Sequence, residues 1–166
     1  MAKHGVVERQ LLDSEWVGSK RVAIKIDKDM DNGSVVTLNG LVEGEMNLYK
    51  VADVTASTPL DDVYLVTTPE VMEDERLKYN LSDFYNIAGK IGNADKMIPG
   101  NYVGLTLEVF DASAVSNEPQ VGHIVELKAG RKLAVVASLT DDSTQFGTIV
   151  DIYNGKYGVK LAKEWN

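Results

Sequence analysis

The chain contains no cysteine among its 166 residues. Disulfide bonds, a thiolate nucleophile and a zinc–thiolate site are therefore excluded. The sequence also has no apolar run of the roughly 20 residues that a membrane-spanning helix needs. Its first residues, "MAKHGVVERQLLDSEW", lack the apolar core of a secretory signal peptide. We therefore expect a soluble protein that is synthesised in a cytoplasm and has no membrane partner.

Positive charge is scarce as well. Lysine and arginine number 17 against 25 aspartates and glutamates, which gives a formal net charge of −8 and an isoelectric point of about 4.7. A nucleic-acid-binding surface needs a basic face to displace counterions from phosphates, and anionic lipid needs the same. We therefore expect no nucleic-acid partner. The 44% of hydrophobic residues is enough for a packed core in one domain, with or without a small appendage.

Recognisable catalytic groups are missing from the sequence. His4 and His123 are its 2 histidines, and neither accompanies a serine or aspartate in a nucleophile motif. The glycines of "GKIGNADKMIPG" have neither dinucleotide-binding nor Walker spacing. We therefore predict a non-enzymatic protein with no catalytic residue, no cofactor and no metal.

Most of the sequence has the pattern of strands. "RVAIKID", "SVVTL" and "DDVYLVTT" are rich in β-branched residues. One main helix is predicted in "NLSDFYNIAGKIG", since Leu81, Phe84, Ala88 and Ile91 recur at spacings of three and four after Asn80 as N-cap. After Pro99–Gly100, short strand-like segments alternate with turns, which predicts a small antiparallel barrel or sandwich.

The predicted fold class is therefore α+β and mostly β, with antiparallel hairpins. We expect an N-terminal arm at residues 1–20, an α+β region with the main helix at 21–98, and the all-β barrel or sandwich at 99–166. Asn154–Gly155, set between strands, predicts a type I′ hairpin turn.

The segment "DKDMDNG", from Asp27 to Gly33, resembles the start of a calcium-binding loop. A calcium loop places glycine at position six and a bidentate glutamate at position twelve. Here, counting from Asp27, those positions hold Asn32 and Leu38. We interpret the segment as a hairpin turn at Asn32–Gly33 with solvated aspartates, and the metal site as the alternative.

Two other clusters have a functional and a structural interpretation. The acids of "PEVMEDER", at positions 70, 73, 74 and 75, are interpreted as a solvated helix start in preference to a catalytic pair. Trp16 and Trp165 suit a sugar-binding platform, but packing or a partner surface explains them more simply.

The N-terminal arm is the candidate partner-binding segment. Its periodicity is poor, so we expect the core to close without it; the alternative is a short helical face formed by Leu11, Leu12 and Trp16, since Leu12 and Trp16 are four residues apart. The segment nevertheless contains more apolar side chains than a terminal segment without contacts would need. Such an arm can become ordered when it binds a partner. The predicted contact residues are Val6, Val7, Leu11, Leu12 and Trp16.

The order of several segments resembles a known family. "VYLVTTPEVMEDER", "NLSDFYNIAGKIGNADKMIPGNYVGLTLEVF", "VGHIVELKAGRKLAVV" and "GTIVDIYNGKYGVKL" are similar to head decoration (capsid cement) proteins of tailed bacteriophages of Gram-positive hosts. The resemblance covers about Arg21 to Lys160 and involves no catalytic motif. It implies a virion protein, made in the host cytoplasm, that binds the outer surface of the icosahedral capsid. The implied partner is the major capsid protein, with self-association around capsid symmetry axes.

Two other classes of function stay open at this point. One is a carbohydrate-binding or host-surface adhesion module. The other is a small enzyme with a carboxylate or metal site around Asp27 to Asp31.

Overall fold

The computed structural model describes residues 3–8, 20–71 and 80–162. Its strands are β1 (Val7–Glu8), β2 (Arg21–Lys25), β3 (Val35–Leu41), β4 (Leu48–Ala52), β5 (Tyr64–Val66), β6 (Ile91–Lys96), β7 (Tyr102–Thr106), β8 (Phe110–Asp111), β9 (Ile124–Glu126), β10 (Leu133–Val136), β11 (Gln145–Tyr153) and β12 (Lys156–Leu161). Short 3₁₀ turns lie at Leu60–Asp62, Leu81–Asp83, Leu107–Val109 and Ser113–Val115.

Strands β2 to β6 form a closed barrel in the order β2-β4-β3-β5-β6. The pairs are antiparallel except β2 with β4. Successive side chains of a strand point to opposite faces, and the barrel interior takes every second residue. The interior cluster consists of Val22, Ile24, Ile26, Met30, Val36, Val51, Tyr64, Val66 and Ala94.

The other strands form a seven-stranded sheet in the order β1-β7-β12-β11-β9-β10-β8. Only the pair of β10 with β8 is parallel. The first described strand thus lies beside β7, with Val7 opposite Leu105. Residues from the beginning and the end of the chain therefore share one sheet.

Barrel and sheet pack on a common core. Val35 and Leu65 point away from the barrel interior and join the same buried cluster as Phe146 and Ile149 of the sheet. Their neighbours in sequence, Val36 and Tyr64 among them, fill the barrel. Both faces are buried along β5 and at the first two residues of β3, which explains why successive residues are apolar there.

The predicted main helix is wrong. Leu81–Asp83 forms only a 3₁₀ turn, and Ile91 begins strand β6. No helix of seven or more residues is present in the residues described, and the predicted α+β fold class gives way to a mostly β one. Gly89 has φ +87°, a left-handed value that interrupts any helix at that point. In addition, β6 pairs with β2 and β5. Its backbone N–H and C=O groups are therefore not available for the hydrogen bonds of a helix.

The predicted position of the barrel is also wrong. The barrel closes within residues 21–96, where an α+β region was expected, and residues 102–161 contribute to the curled sheet. A β-barrel is present, but it comes from the other half of the sequence. The change from barrel to sheet falls between β6 and β7.

The two turn predictions have opposite outcomes. Asn154 and Gly155 have φ of 50° and 73° and join β11 to β12, as the type I′ prediction requires. The hairpin predicted at Asn32–Gly33 is absent, because β2 pairs with β4 and β6 while β3 pairs with β4 and β5. Gly33 has φ +85° in a turn closed by the Ser34 amide, which donates to the Asp31 carbonyl over 3.2 Å.

Within the part of the chain that the structure describes, no helix has the length and apolar character needed to cross a membrane.

Candidate functional site

The loop that was interpreted as a turn or metal site is a junction between distant segments. The Asp29 carboxylate accepts a hydrogen bond from the Ala88 amide over 2.8 Å. The Asp31 carboxylate accepts one from the Gly5 amide over 3.0 Å and one from Nδ1 of His4 over 2.7 Å. These carboxylates are therefore bound to protein donors and are not free ligands, although Asp29, like Asp27, stays exposed to solvent as expected and only Asp31 is partly buried.

The first aspartate of the same loop belongs to an ion-pair network that we name the Arg131 cluster (Asp27, Lys28, Asp53 and Arg131). The Arg131 guanidinium donates from Nη1 and Nη2 to the Asp27 carboxylate over 2.7 and 2.8 Å. Its Nε donates to Asp53 over 2.7 Å, and Lys28 donates to both oxygens of Asp53 over 3.0 Å. The cluster ties the loop after β2 and the end of β4 to the segment before β10.

Burial and charge in the Arg131 cluster act in opposite directions. The Arg131 side chain is only 7% exposed, whereas Asp27 and Asp53 are 47% and 46% exposed. Burial disfavours the charged guanidinium, but the hydrogen bonds to both aspartates outweigh it and raise the pKa of Arg131. The Arg131 hydrogen bond lowers the pKa of Asp27, and those from Lys28 and Arg131 lower the pKa of Asp53.

Asn32 completes the junction from a buried position. Its side-chain amide donates to the Thr68 carbonyl over 2.8 Å, and its carbonyl oxygen accepts from the Thr68 amide over 3.1 Å. The Asn86 amide also donates to it over 3.1 Å. No group of three or more His, Asp or Glu side chains able to hold a metal ion is found in residues 3–8, 20–71 and 80–162. The acidic loop therefore has a structural explanation that needs no ligand.

The N-terminal arm is only partly within the described residues. Val6 and Val7 are buried, with Val6 accepting a backbone hydrogen bond from Thr106 over 3.2 Å. The expectation that the core closes without this segment is therefore wrong for residues 4–8. A contact of Val6 or Val7 with another chain would require β1 to leave the sheet. The remaining predicted contacts, Leu11, Leu12 and Trp16, lie outside the described residues.

The histidines do not lie together in a site. His4 stacks on Tyr85 with ring centroids 4.7 Å apart and bonds to Asp31. His123 lies just before β9, and its Nδ1 accepts a hydrogen bond from the Gln120 amide over 3.1 Å. The acids at 73–75 and Trp165 lie outside the described residues.

One surface of the sheet combines exposed apolar side chains with a strand segment that has a neighbouring strand on one side only, and in that segment the Ile152 amide donates to the Asp151 carboxylate over 2.8 Å. Strand β9 pairs with β11 only as far as Thr148, opposite Ile124. Residues 150–153, which we name the β11 edge, therefore have β12 on one side and no described strand on the other. Val150, Ile152 and Tyr153 are exposed there, Tyr153 to 78%. The sequence predicts the Asn154–Gly155 turn beside this edge. It does not predict that the pairing with β9 ends before residue 150 and leaves the edge without a second neighbouring strand.

A second feature is a cleft at one mouth of the barrel, with a volume of about 630 Å³. We name it the barrel-mouth cleft; its principal lining side chains are Leu38, Thr58, Asp61, Asp62, Tyr64 and Lys96. Tyr64 lies opposite Lys96 in the pairing of β5 with β6. Strand alternation places Leu38, Tyr64 and Lys96 on the interior face at the same end of the barrel.

Sequence reasoning missed this cleft entirely. Its side chains come from β3, β5, β6 and the loop after β4, which only barrel closure brings together. The local signal in "STPLDD" is that of a turn.

No protein-family model matches the chain, and a search of curated proteins gives no significant match.

Proposed function

We propose that the protein is a non-enzymatic structural component of a tailed-phage virion that binds the outer surface of the icosahedral head and stabilises it. The similarity of its segment order to capsid decoration proteins motivates the proposal. The observation that supports it most directly is the β11 edge, where exposed apolar side chains accompany a strand segment that lacks a described neighbouring strand on one side.

The β11 edge suits attachment to another protein. A strand edge offers backbone donors and acceptors to an added strand, and alternate side chains give that pairing its specificity. The edge is part of a sheet anchored by the buried Ile149 and Val159, so little conformational entropy is lost on binding. Exposed apolar groups supply area that becomes buried in the complex.

The same edge is protected against indiscriminate pairing. A bulge shifts the register between Ile149 and Asp151, and Asp151 adds an exposed charge. Bulges and charges are devices that prevent sheet edges from aggregating. The edge is therefore suited to a complementary partner, which we propose to be the major capsid protein.

Repetition over an icosahedral shell strengthens such contacts. Many weakly attached copies stabilise a shell collectively, as linked binding modules do. We propose that Leu11, Leu12 and Trp16 add contacts to the capsid, and that copies associate around symmetry axes. Strand β1, which precedes these residues, belongs to the same sheet as the β11 edge.

Co-sedimentation with purified heads tests the proposal. The heads are those of a tailed phage that, under the proposal, carries this chain, and they are prepared without it. We expect the full chain to pellet with them at a copy number comparable to that of the capsid protein, measured by mass spectrometry. A chain that stays in the supernatant at micromolar concentration contradicts capsid binding.

A matched pair of double variants tests the surface. Val150→Lys with Tyr153→Lys changes the β11 edge, whereas Met46→Lys with Val71→Lys changes two apolar residues that are exposed elsewhere. We expect the first variant to bind heads at least tenfold more weakly and the second to bind as the wild type does. Equal binding by both would move the attachment surface away from the β11 edge.

A further inference from the structure

The barrel-mouth cleft is lined by a largely buried tyrosine whose hydroxyl has no protein partner in the described residues. Tyr64 is only 7% exposed and packs among the apolar residues of the barrel interior. Within the described residues its hydroxyl makes no hydrogen bond. The hydroxyl is not a fully buried atom, because the fully buried side-chain donor or acceptor that lacks a partner in the described residues is Nδ2 of Asn101. The Tyr64 side chain lines the cleft, so its hydroxyl faces the cleft and a ligand there can bond to it in place of water.

The rim of the cleft is rich in groups that recognise hydroxyls. The carboxylates of Asp61 and Asp62 and the ammonium of Lys96 have no ion-pair or hydrogen-bond partner in the described part of the chain. Carboxylates accept strong hydrogen bonds from hydroxyl donors, and an ammonium donates to hydroxyl oxygens. The hydroxyl groups of Thr55 and Thr58, 2.9 Å apart, lie on the same rim.

Apolar surface accompanies these polar groups. Tyr64 belongs to the buried cluster of the barrel, Leu38 packs against that cluster, and both line the cleft. The 630 Å³ of the cleft falls within the range of about 300–1,000 Å³ that is usual for small-molecule sites. Barrel mouths are among the places where such sites occur. The cleft therefore offers an apolar surface and a ring of donors and acceptors.

We propose that the barrel-mouth cleft binds a neutral saccharide. A sugar presents apolar C–H faces, which suit Leu38 and the Tyr64 ring, and several hydroxyls, which suit Asp61, Asp62 and Lys96. The hydroxyl of Tyr64 bonds to a sugar oxygen in the cleft. This role goes beyond capsid attachment, because it gives the protein a ligand of its own.

The charges of the cleft select among ligand classes. Asp61, Asp62 and Lys96 give it a formal charge of −1, which opposes phosphates, nucleic acids and anionic polysaccharides. Neutral hydroxyl-bearing ligands avoid this repulsion and use all three groups.

Binding is tested with the full chain on an array of neutral oligosaccharides of glucose, galactose, mannose and N-acetylglucosamine, with heparin and polyphosphate as anionic arms. The tightest neutral binder is then titrated by calorimetry against the wild type and variants. We expect the neutral arm to contain binders and the anionic arm none. No binding in the neutral arm at millimolar concentration, or binding confined to the anionic arm, overturns the proposal.

Conservative variants locate the binding in the cleft. Tyr64→Phe removes one hydroxyl and keeps the ring, so we expect a Kd weaker by about fivefold, the value of one neutral hydrogen bond. Asp61→Asn with Asp62→Asn keeps the shape and removes two charged acceptors, and we expect at least a tenfold loss. Thermal melts of these variants exclude unfolding as the cause of weaker binding.

The exposed pair Asp141 and Asp142 provides the matched control, since both are also consecutive aspartates but lie in the loop before β11. Asp141→Asn with Asp142→Asn should bind the saccharide as tightly as the wild type. If this control loses affinity as much as the cleft variants, or if the cleft variants lose none, the saccharide does not bind in the cleft. Because the assay uses the chain without heads, its result is distinct from that of the capsid-binding test.

Discussion

Replacing Arg131 by methionine tests whether the Arg131 cluster holds the barrel to the sheet. Methionine keeps an unbranched stem of similar reach and removes the charge and every N–H donor. The wild-type guanidinium makes hydrogen bonds of 2.7 and 2.8 Å to Asp27 and of 2.7 Å to Asp53. The variant therefore removes these bonds and leaves the backbone of the segment unchanged.

The magnitude follows from where the charges lie. Breaking a fully buried ion pair costs about 3–5 kcal/mol, because the remaining charge stays buried. Here Asp27 and Asp53 are 47% and 46% exposed, so water replaces the lost donors. Removing Arg131 also removes the cost of burying its own charge. We therefore expect a loss of about 1–3 kcal/mol in the free energy of unfolding at pH 7, between the values for exposed and buried pairs.

The effect should depend on pH. The pKa values of Asp27 and Asp53 lie below their ordinary value of 3.8 in the folded protein. A carboxyl whose pKa is lowered by folding stabilises the protein above its unfolded pKa, and this contribution is lost as pH falls through the folded pKa. The difference between wild type and Arg131→Met should therefore be complete above about pH 5 and shrink below about pH 4.

Urea unfolding followed by circular dichroism at pH 7 and at pH 3 measures this difference. Lys132→Met is the matched control, since Lys132 is the adjacent residue, is exposed and has no partner in the described residues. We expect it to change stability by no more than about 0.5 kcal/mol. A variant at Arg131 as stable as the wild type at pH 7, or equally destabilised at both pH values, would refute the reasoning.

Three further predictions concern other parts of the fold. Gly155→Val should lower the free energy of unfolding by about 1–3 kcal/mol, because φ is +73° there; urea unfolding measures it, and unchanged stability would contradict the type I′ turn. Val7→Ala should cost about 1–3 kcal/mol because Val7 is buried beside β7; a neutral result in the same assay would show that β1 adds little to the core. Millimolar calcium should leave the melting temperature unchanged, because Asp29 and Asp31 already bind protein donors; a rise of several degrees that Asp29→Ala abolishes would indicate a calcium site.

The sequence alone was enough to predict those features that depend only on residues close together in the chain. The turn at Asn154–Gly155 depends on two residues that accept positive φ, so the sequence alone was sufficient. The helix at residues 80–92 was predicted from apolar spacing, but Leu81 and Ile91 are exposed in the structure. Gly89 and Gly92 were the contrary signal, since glycine weakens helices. A Cβ at Gly92 would lie 2.6 Å from the Thr68 hydroxyl, so this glycine serves close packing in β6.

The features that could not be predicted are those that depend on pairing between strands far apart in the sequence. The strands of residues 21–68 were recognised, but not that β2 lies parallel to β4 and closes the barrel with β6. Pairing partners depend on contacts between residues far apart, for which single-strand patterns carry no information. For the same reason the sequence could not predict the ion pair of Arg131 with Asp27, which lies 104 positions away. It also could not predict that Tyr64 lies opposite Lys96.

The place of β1 in the sheet has a consequence for the order of events during synthesis. Val6 and Thr106 bond to each other although 100 positions separate them, and the neighbour of β7 on its other side is β12. Strand β1 therefore leaves the ribosome well before its partner β7, and the last of the strands that complete the sheet ends at Leu161. Such non-local pairing slows folding, because loop-closure entropy is lost before the contacts form. The barrel, complete by Lys96, has no such delay, so we expect it to form first and to serve as the surface on which the sheet assembles.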